Sequence, residues 1–166
     1  MKIASSGPSM IPMWLEAKTT GPVAGMLAVS CRRTSNRRPI EAGAGVSYNH
    51  TWVAEEPTTV GLIPVGYAEG IQRRAGNRAE VWIDGARYPV RGTICMDQIV
   101  VDLGDASVER GAEVLLWGTG ADGEPTAQDW AEASETIAYE VVTRIGGRMK
   151  RRYVDTDVDT EQGDDT

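Results

Sequence analysis

The dipeptide Asp84-Gly85, placed between residues 81–83 and 86–88, constrains the fold more than any other local feature of the chain. Asp-Gly readily adopts the two positive φ angles that a type I′ turn requires, so the flanking segments are predicted to pair as an antiparallel hairpin. The chain also contains 19 glycines and few apolar runs of helical length. Together these features predict a turn-rich β domain.

Other segments extend the β pattern. Residues 60–66 form a continuous apolar run, which is typical of a strand buried on both faces. The predicted fold class is all-β, mainly an antiparallel Greek-key-like β-barrel, with a small helical insertion near residues 126–145. Further strands are predicted at 94–103, 113–117 and 149–154, with a loop at 118–123.

Capping and spacing predict the helical insertion. Thr126 can cap a first helix, and Asp129 three residues later completes a capping-box arrangement. A second apolar repeat at i, i+4 follows that helix and ends before Gly146-Gly147. The residues predicted to face the core are Ala127, Trp130, Ala131 and Ser134 in the first segment, and Ile137, Val141 and Ile145 in the second.

Charge is distributed unevenly along the chain. The 17 Lys and Arg against 24 Asp and Glu give a net charge of −7. Residues 1–40 are basic, whereas residues 155–166 carry six acids and no base, and the body between them is acidic. This asymmetry argues against a nucleic-acid partner for the folded part. We predict an unmatched segment at 1–37, either an irregular leader or a divergent first strand, a β domain at 38–154, and a disordered acidic tail at 155–166.

Metal-ligating residue types are sparse. The chain has two cysteines, Cys31 and Cys95, and one histidine, His50, which excludes a structural zinc site built on closely spaced ligands. Such cysteine usage suits a reducing cytoplasm. The longest uncharged run near the N-terminus, residues 19–31, is too short to cross a bilayer. We therefore expect a cytoplasmic protein with no bound metal and no membrane partner.

Three strings in the middle of the chain carry a more specific signal: Gly45-Val46-Ser47-Tyr48, residues 63–70 (IPVGYAEG) and residues 94–98 (ICMDQ). In this order they resemble the C-terminal β-domain of alanine racemase, a pyridoxal-phosphate (PLP) enzyme. The resemblance runs from about residue 38 to residue 153 and continues through residues 101–104, 125–130 and 136–142.

The resemblance implies a second domain. In that family a barrel precedes this region, holds PLP and supplies the lysine that binds the cofactor covalently. Such a barrel takes about 250 residues, and only the short segment before residue 38 precedes the matching region here. None of the chain's lysines, Lys2, Lys18 and Lys150, ends a predicted barrel strand. We therefore expect the isolated chain to be inactive and to carry no PLP.

The resemblance also assigns roles to individual residues. Tyr48 matches the tyrosine that acts as the second acid–base group, opposite the barrel lysine; a phenol can do so only where nearby cations or donors stabilise the phenolate. Met96 matches the residue whose backbone N–H meets the substrate carboxylate. Tyr139 matches a tyrosine that also touches the cofactor phosphate. The predicted residues of the active-site entrance are Tyr67, Arg73, Asp97 and Tyr139.

Several positions depart from common family forms. Asn49 stands where glycine often follows the tyrosine, and asparagine is the residue other than glycine that best tolerates a left-handed backbone. Thr93 stands where arginine is frequent, and Glu69 replaces the usual aspartate. His50 and Cys95 are interpreted as structural.

The leading interpretation is the C-terminal domain of an alanine racemase that interconverts L- and D-alanine and, in a bacterium, supplies D-alanine for peptidoglycan. Its expected partners are alanine and a racemase barrel, or a second subunit in a head-to-tail dimer. Two alternatives stay open. One is a serine-type or other amino-acid racemase of the same architecture. The other is a non-catalytic stand-alone module or a truncated racemase fragment.

Overall fold

The computed structural model describes residues 29–32 and 36–149, which form nine strands and two α-helices. Short 3₁₀ turns at Tyr48–His50, Tyr67–Glu69 and Arg73–Ala75 lie in the connections. The helices are α1 (Ala127–Ser134) and α2 (Ala138–Arg144). The strands are β1 (Val29–Arg32), β2 (Asn36–Ile40), β3 (Gly45–Val46), β4 (Trp52–Val53), β5 (Thr58–Ile63), β6 (Glu80–Ile83), β7 (Ala86–Arg91), β8 (Ile99–Gly104) and β9 (Glu113–Trp117).

Seven strands form one sheet in the order β1-β9-β6-β7-β8-β5-β2, and its paired strands run antiparallel. Strands β3 and β4 form a separate antiparallel pair. Strands that are not consecutive in the chain lie side by side at β1-β9, β9-β6 and β8-β5, as Greek-key connections require. The predicted fold class, mainly antiparallel β with a small helical insertion, is confirmed.

The hairpin predicted at Asp84-Gly85 joins β6 to β7. Val81 pairs with Tyr88 and Ile83 with Ala86. Asp84 has φ 49° and Gly85 has φ 87°, the left-handed angles of a type I′ turn. This prediction is confirmed. It could be made from the sequence because the turn depends on two adjacent residues.

The boundaries of the other strands were predicted less accurately than this hairpin. The strand predicted at 113–117 is confirmed as β9, but the one predicted at 94–103 begins only at Ile99. The prediction for residues 94–98 was wrong because this segment turns on itself, with the Cys95 N–H donating to the Gln98 carbonyl at 3.0 Å. Met149 also lies outside any strand, and residues 150–154 of the predicted closing strand lie outside the described residues.

Helix α1 begins as predicted. The Asp129 N–H donates to Thr126 Oγ1 at 3.1 Å, and the Thr126 N–H donates to Asp129 Oδ2 at 2.8 Å, which completes the capping box. Trp130 is fully buried, donates its indole N–H to the Leu116 carbonyl at 2.6 Å, and lies 5.6 Å from the Trp117 ring. These contacts fix α1 against β9.

Helix α2 is shorter than its apolar repeat predicted. Val141 and Ile145 are buried, but Ile137 is 67% exposed because it precedes the first helical residue, Ala138. The core is made of aliphatic and tryptophan side chains from the sheet and the inner faces of both helices, including Ile63, Val81, Ile83, Val101, Val114, Leu116, Trp117, Trp130 and Val141.

The predicted segments at the two ends of the chain are described only in part. Strand β1 falls within residues 1–37, where the sequence left an irregular leader or a first strand open, and it pairs with β9. The rest of that segment, apart from β2, and the predicted acidic tail lie outside the described residues, so the boundaries at 37 and 154 stay predictions. Within the described part, no helix is long and apolar enough to cross a membrane.

Candidate active site

Tyr48 lies at the tip of the connection between β3 and β4. It opens a 3₁₀ turn, and three residues around it have left-handed backbones: Ser47 at φ 61°, Asn49 at φ 62° and His50 at φ 46°. The Tyr48 side chain is 60% exposed. The expectation that Asn49 occupies a left-handed position is confirmed, and the tight turn presents the phenol to the surface.

Residues 93–95 hold this turn in place through hydrogen bonds. The Thr93 hydroxyl donates to the Tyr48 carbonyl at 3.2 Å, and the Ser47 hydroxyl donates to the Thr93 carbonyl. Ser47 Oγ also lies 3.3 Å from the sulfur of Cys95, a buried free cysteine. The segment that leads to Met96 is therefore bound to the segment that carries Tyr48.

A second turn, at Tyr67–Glu69, packs on the other side of the same segment. The Tyr67 N–H donates to the Cys95 carbonyl at 3.0 Å, and the Ala68 N–H donates to the Met96 carbonyl at 2.8 Å. Gly66 is required for this approach, because a Cβ there would collide with both carbonyl oxygens. The Arg73 guanidinium lies 5.9 Å from the centre of the Tyr67 ring.

The Met96 N–H has a defined direction. In a trans peptide the C=O and the following N–H point in opposite directions. Because the Cys95 carbonyl points at the Tyr67 N–H, the Met96 N–H points away from it. Within the described part of the chain, no group accepts a hydrogen bond from this N–H, and Met96 is 56% exposed. The peptide thus offers a free donor beside the turn that carries Tyr48.

Glu69, which the sequence marked only as a longer replacement for aspartate, is 1% exposed. Its carboxylate accepts a hydrogen bond from the Gly66 N–H at 2.9 Å and forms an ion pair with Arg148 at 2.6 Å. Glu69 stands three residues after Gly66, the spacing at which a carboxylate can accept from the N–H that begins a turn, as in one half of a capping box, and this spacing is a local signal that could have identified it. We refer to Gly66, Glu69 and Arg148 as the Glu69 clamp.

Asp97 and Tyr139 lie further out. The Asp97 side chain is exposed. The backbone carbonyl of Asp97 accepts a hydrogen bond from Arg148 Nη2 at 3.4 Å. Tyr139, in the first turn of α2, is 79% exposed. Among the described residues no hydrogen bond or ring contact joins its side chain to the other predicted site residues. The chain that follows α2 contacts the turn of Tyr67, where the Gly146 N–H donates to the Glu69 carbonyl at 3.0 Å.

Arginines surround the entrance residues. Tyr67, Arg73 and Arg144 border a surface depression of about 400 Å³, and Arg144 also pairs with Glu140 at 3.2 Å. Beside this depression, Arg74 and Arg78 both form ion pairs with Glu135, and the Arg78–Glu135 distance is 2.5 Å. These pairs connect the 3₁₀ turn of Arg73 to the end of α1. Hydrogen bonds from Arg74 and then Arg78 lower the pKa of Glu135 to about 2.

Groups for metal or covalent cofactor binding are scarce in this region. Within residues 29–32 and 36–149, no cluster of three His, Cys, Asp or Glu side chains is arranged to hold a metal ion. All three lysines, Lys2, Lys18 and Lys150, lie outside the described residues. The described site therefore consists of phenols, guanidinium groups, peptide donors and the carboxylates of Glu69 and Asp97.

Comparison with known proteins points to one family. Residues 31–153 match the family model described as alanine racemase, C-terminal domain. The chain is 57% identical over 119 residues to the alanine racemase of Mycolicibacterium vanbaalenii, covering 70% of this chain and 30% of that protein. It is 49% identical over 125 residues to that of Thermobifida fusca, covering 75% and 32%.

Solved structures give the same result. Alanine racemase from Streptomyces coelicolor superposes with a TM-score of 0.75 at 48% identity, covering 78% of this chain and 34% of that one. Alanine racemase from Bartonella henselae with covalently bound pyridoxal phosphate gives a TM-score of 0.72 at 32% identity, covering 82% and 37%. The chain spans about a third of the length of these relatives.

Proposed function

The chain belongs to the alanine racemase C-terminal domain family, and from this membership we propose that it completes the active site of a PLP-holding barrel and takes part in interconverting L- and D-alanine. The observation that carries the proposal is the junction of three loops at residues 93–96. There, hydrogen bonds hold the turn of Tyr48 and the turn of Tyr67 on one segment that ends in the free Met96 N–H.

In this proposal the Met96 N–H binds the substrate carboxylate. A backbone donor held on both sides needs little reorganisation when the anion arrives. The Arg73 and Arg144 guanidinium groups border the adjoining depression and favour the approach of a carboxylate.

Tyr48 exchanges a proton at the Cα atom of alanine, on the face opposite a base from the barrel. Its exposed phenol can enter a neighbouring domain, as this role requires. The side chains that hold its turn by hydrogen bonds, Ser47 and Thr93, are uncharged hydroxyls. The cations that make the phenol an effective base therefore come from the barrel.

The cofactor is held mainly by the barrel. The described part of this chain has no lysine for covalent attachment, so it fits PLP only as a contributor of contacts. The exposed Tyr139 hydroxyl suits a phosphate oxygen, and Tyr67, Arg73 and Asp97 line the approach. When bound, PLP supplies the electron sink that makes the Cα proton of an amino acid removable.

The proposed physiological setting is the one that the family resemblance implies. A barrel of a second subunit, in a head-to-tail dimer, would receive Tyr48. The product D-alanine would supply peptidoglycan synthesis in the cytoplasm of a bacterium. Substrate choice between alanine and serine depends on the barrel as well as on this chain.

The test joins this chain to the barrel domain of the Streptomyces coelicolor enzyme in place of that enzyme's own C-terminal part. We expect the fusion to racemise L-alanine faster than L-serine, measured by chiral chromatography of the products. The 166-residue chain alone and the barrel alone serve as controls. We expect the chain alone to retain no PLP absorbance after dialysis and no activity.

A folded, PLP-loaded fusion that racemises neither amino acid would contradict the proposal and favour a non-catalytic module. Preference for serine would replace the substrate but keep the reaction. Retained PLP and racemisation by the chain alone would refute the division of labour between the two domains.

A further inference from the structure

Glu69 occupies an unusual position for a carboxylate. It is almost completely buried, and each of its two oxygens has a different partner: Oε2 accepts from the Gly66 N–H at 2.9 Å, and Oε1 pairs with Arg148 Nε at 2.6 Å. A buried carboxylate is stable only when such partners are present. The bond to Gly66 closes the turn, and the bond to Arg148 fixes the turn to the chain that follows α2.

The closed turn acts on the segment at 95–97. It presents the Tyr67 N–H to the Cys95 carbonyl at 3.0 Å and the Ala68 N–H to the Met96 carbonyl at 2.8 Å. Arg148 continues the contact, because its Nη2 donates to the Asp97 carbonyl at 3.4 Å. Three successive carbonyls of this segment are therefore oriented by groups that Glu69 holds in place.

Orientation of these carbonyls determines where the Met96 N–H points. The Cys95 carbonyl and the Met96 N–H belong to one planar peptide and cannot rotate independently. If the Tyr67 N–H moves, the Cys95 carbonyl loses its donor, and the Met96 N–H is free to turn. Glu69 is too deeply buried to meet a substrate itself, so its influence passes through this peptide.

We propose that Glu69, held by Arg148, is a positioning residue that sets the direction of the Met96 N–H and thereby the binding of the substrate carboxylate. This inference rests on the proposed function. It assigns Glu69 no contact with the reacting atoms. Loss of the clamp should therefore weaken substrate binding and leave the proton transfer of Tyr48 in place.

The kinetic test uses Glu69→Gln in the barrel fusion. Glutamine keeps the size of the side chain, but its NH₂ group faces a donor at one end, and the charge that attracts Arg148 is lost. We expect the KM for L-alanine to rise about tenfold with kcat within about threefold of the parent, the pattern of lost uniform binding. Glu80→Gln, which removes a partly exposed carboxylate paired with Arg87, is the matched control and should change neither constant.

A second variant guards against misfolding. Glu69→Asp keeps the charge that pairs with Arg148, so its KM should stay within about threefold of the parent. An unchanged KM in Glu69→Gln, a fall in kcat alone, or an aspartate variant as impaired as the glutamine variant would each overturn the proposal.

A readout without catalysis separates this inference from the proposed function. Amide hydrogen exchange is followed by NMR in the 166-residue chain. In Glu69→Gln the Tyr67 and Ala68 amides should exchange at least about tenfold faster, whereas amides of the β6–β7 hairpin keep their parent rates. Unchanged exchange at Tyr67 and Ala68 would overturn the positioning role. An inactive parent fusion with accelerated exchange would contradict the proposed function and leave the clamp standing.

Discussion

Gly45 and His50 close the turn that carries Tyr48: a Cβ on Gly45 would lie only 2.5 Å from Cγ of the His50 ring. The imidazole thus occupies the space that a side chain at the start of the turn would need. Together with the bonds from Ser47 and Thr93, this contact holds the turn without the Tyr48 hydroxyl. The phenol can therefore be altered while the turn keeps its shape.

This arrangement makes Tyr48→Phe a clean test of the proposed base. In the barrel fusion, racemisation should fall by roughly 100-fold or more, because acid–base catalysis on one face is lost. Exchange of the Cα proton with solvent should continue from the other face. Deuterium incorporation and chiral analysis of the same samples measure the two rates.

Stability should change by only about 1 kcal/mol, since one exposed hydroxyl is removed. Tyr88→Phe, on β7, is the control and should leave racemisation unchanged. A Tyr48→Phe fusion that racemises alanine at the parent rate would exclude Tyr48 as the base.

The left-handed backbone at Asn49 leads to a second prediction. Asn49→Val should lower the free energy of unfolding by about 1–2 kcal/mol, because a β-branched residue is strained at φ 62°. Asn49→Gly should lie within about 0.5 kcal/mol of the parent or above it. Urea unfolding of the three proteins measures the difference. Equal stability of the valine and glycine variants would mean that the turn relaxes elsewhere.

A pair of glycines separates backbone strain from steric contact. Gly70 and Gly85 both have positive φ angles, of 97° and 87°. A Cβ on Gly70 would collide with the Arg144 carbonyl at the end of α2, whereas a Cβ on Gly85 meets nothing within 4 Å. Gly85→Ala should therefore cost about 1 kcal/mol of unfolding free energy from strain alone.

Gly70→Ala should cost at least about 2 kcal/mol more, because the turn of Tyr67 and the end of α2 must move apart. Thermal unfolding of both variants measures the comparison. If the two alanine variants are equally stable, the contact between this turn and α2 is not a tight one in solution.

The pH dependence of stability tests the Glu135 ion pairs. Arg74 and Arg78 lower the pKa of the folded-state carboxyl from its ordinary 4.5 to about 2. The stabilisation is therefore complete above pH 4.5 and is lost as the pH falls towards 2. Glu135→Gln should be less stable than the parent at pH 7, and the two melting temperatures should converge at pH 2.

Glu132→Gln, which removes an exposed carboxylate from the last turn of α1, is the control for the change in net charge. Its difference from the parent should vary less over the same range. A constant difference between Glu135→Gln and the parent from pH 7 to pH 2 would show that the pairs contribute no pH-dependent stability.

Local signals predicted the fold well where a few adjacent residues decide the structure. Asp84-Gly85 makes its own turn, and Thr126 with Asp129 starts α1 regardless of distant groups. The strand predicted at 94–103 failed at its beginning for the opposite reason. Its first residues are apolar enough for a strand, but hydrogen bonds from the turn at Tyr67 hold their carbonyls in a loop.

In the candidate site, too, some features could be predicted from local motifs and others could not. The motifs marked Tyr48, Tyr67 and Met96 as belonging together, and the structure places their segments in contact through residues 93–96. The burial of Glu69 depends on Arg148, which is 79 positions away in the chain. A local sequence pattern cannot reveal a contact between residues so far apart in the chain. The sequence therefore indicated the charge at position 69 but not that this charge is buried.

The free donor at position 96 belongs to the main chain. An alanine scan would leave it intact and would score the position as unimportant. Any substitution of the Met96 side chain keeps this N–H, with the exception of proline, which has no N–H. If this N–H binds the substrate carboxylate as proposed, the binding requires a particular path of the backbone, and that path depends on Gly66 rather than on the side chain of Met96.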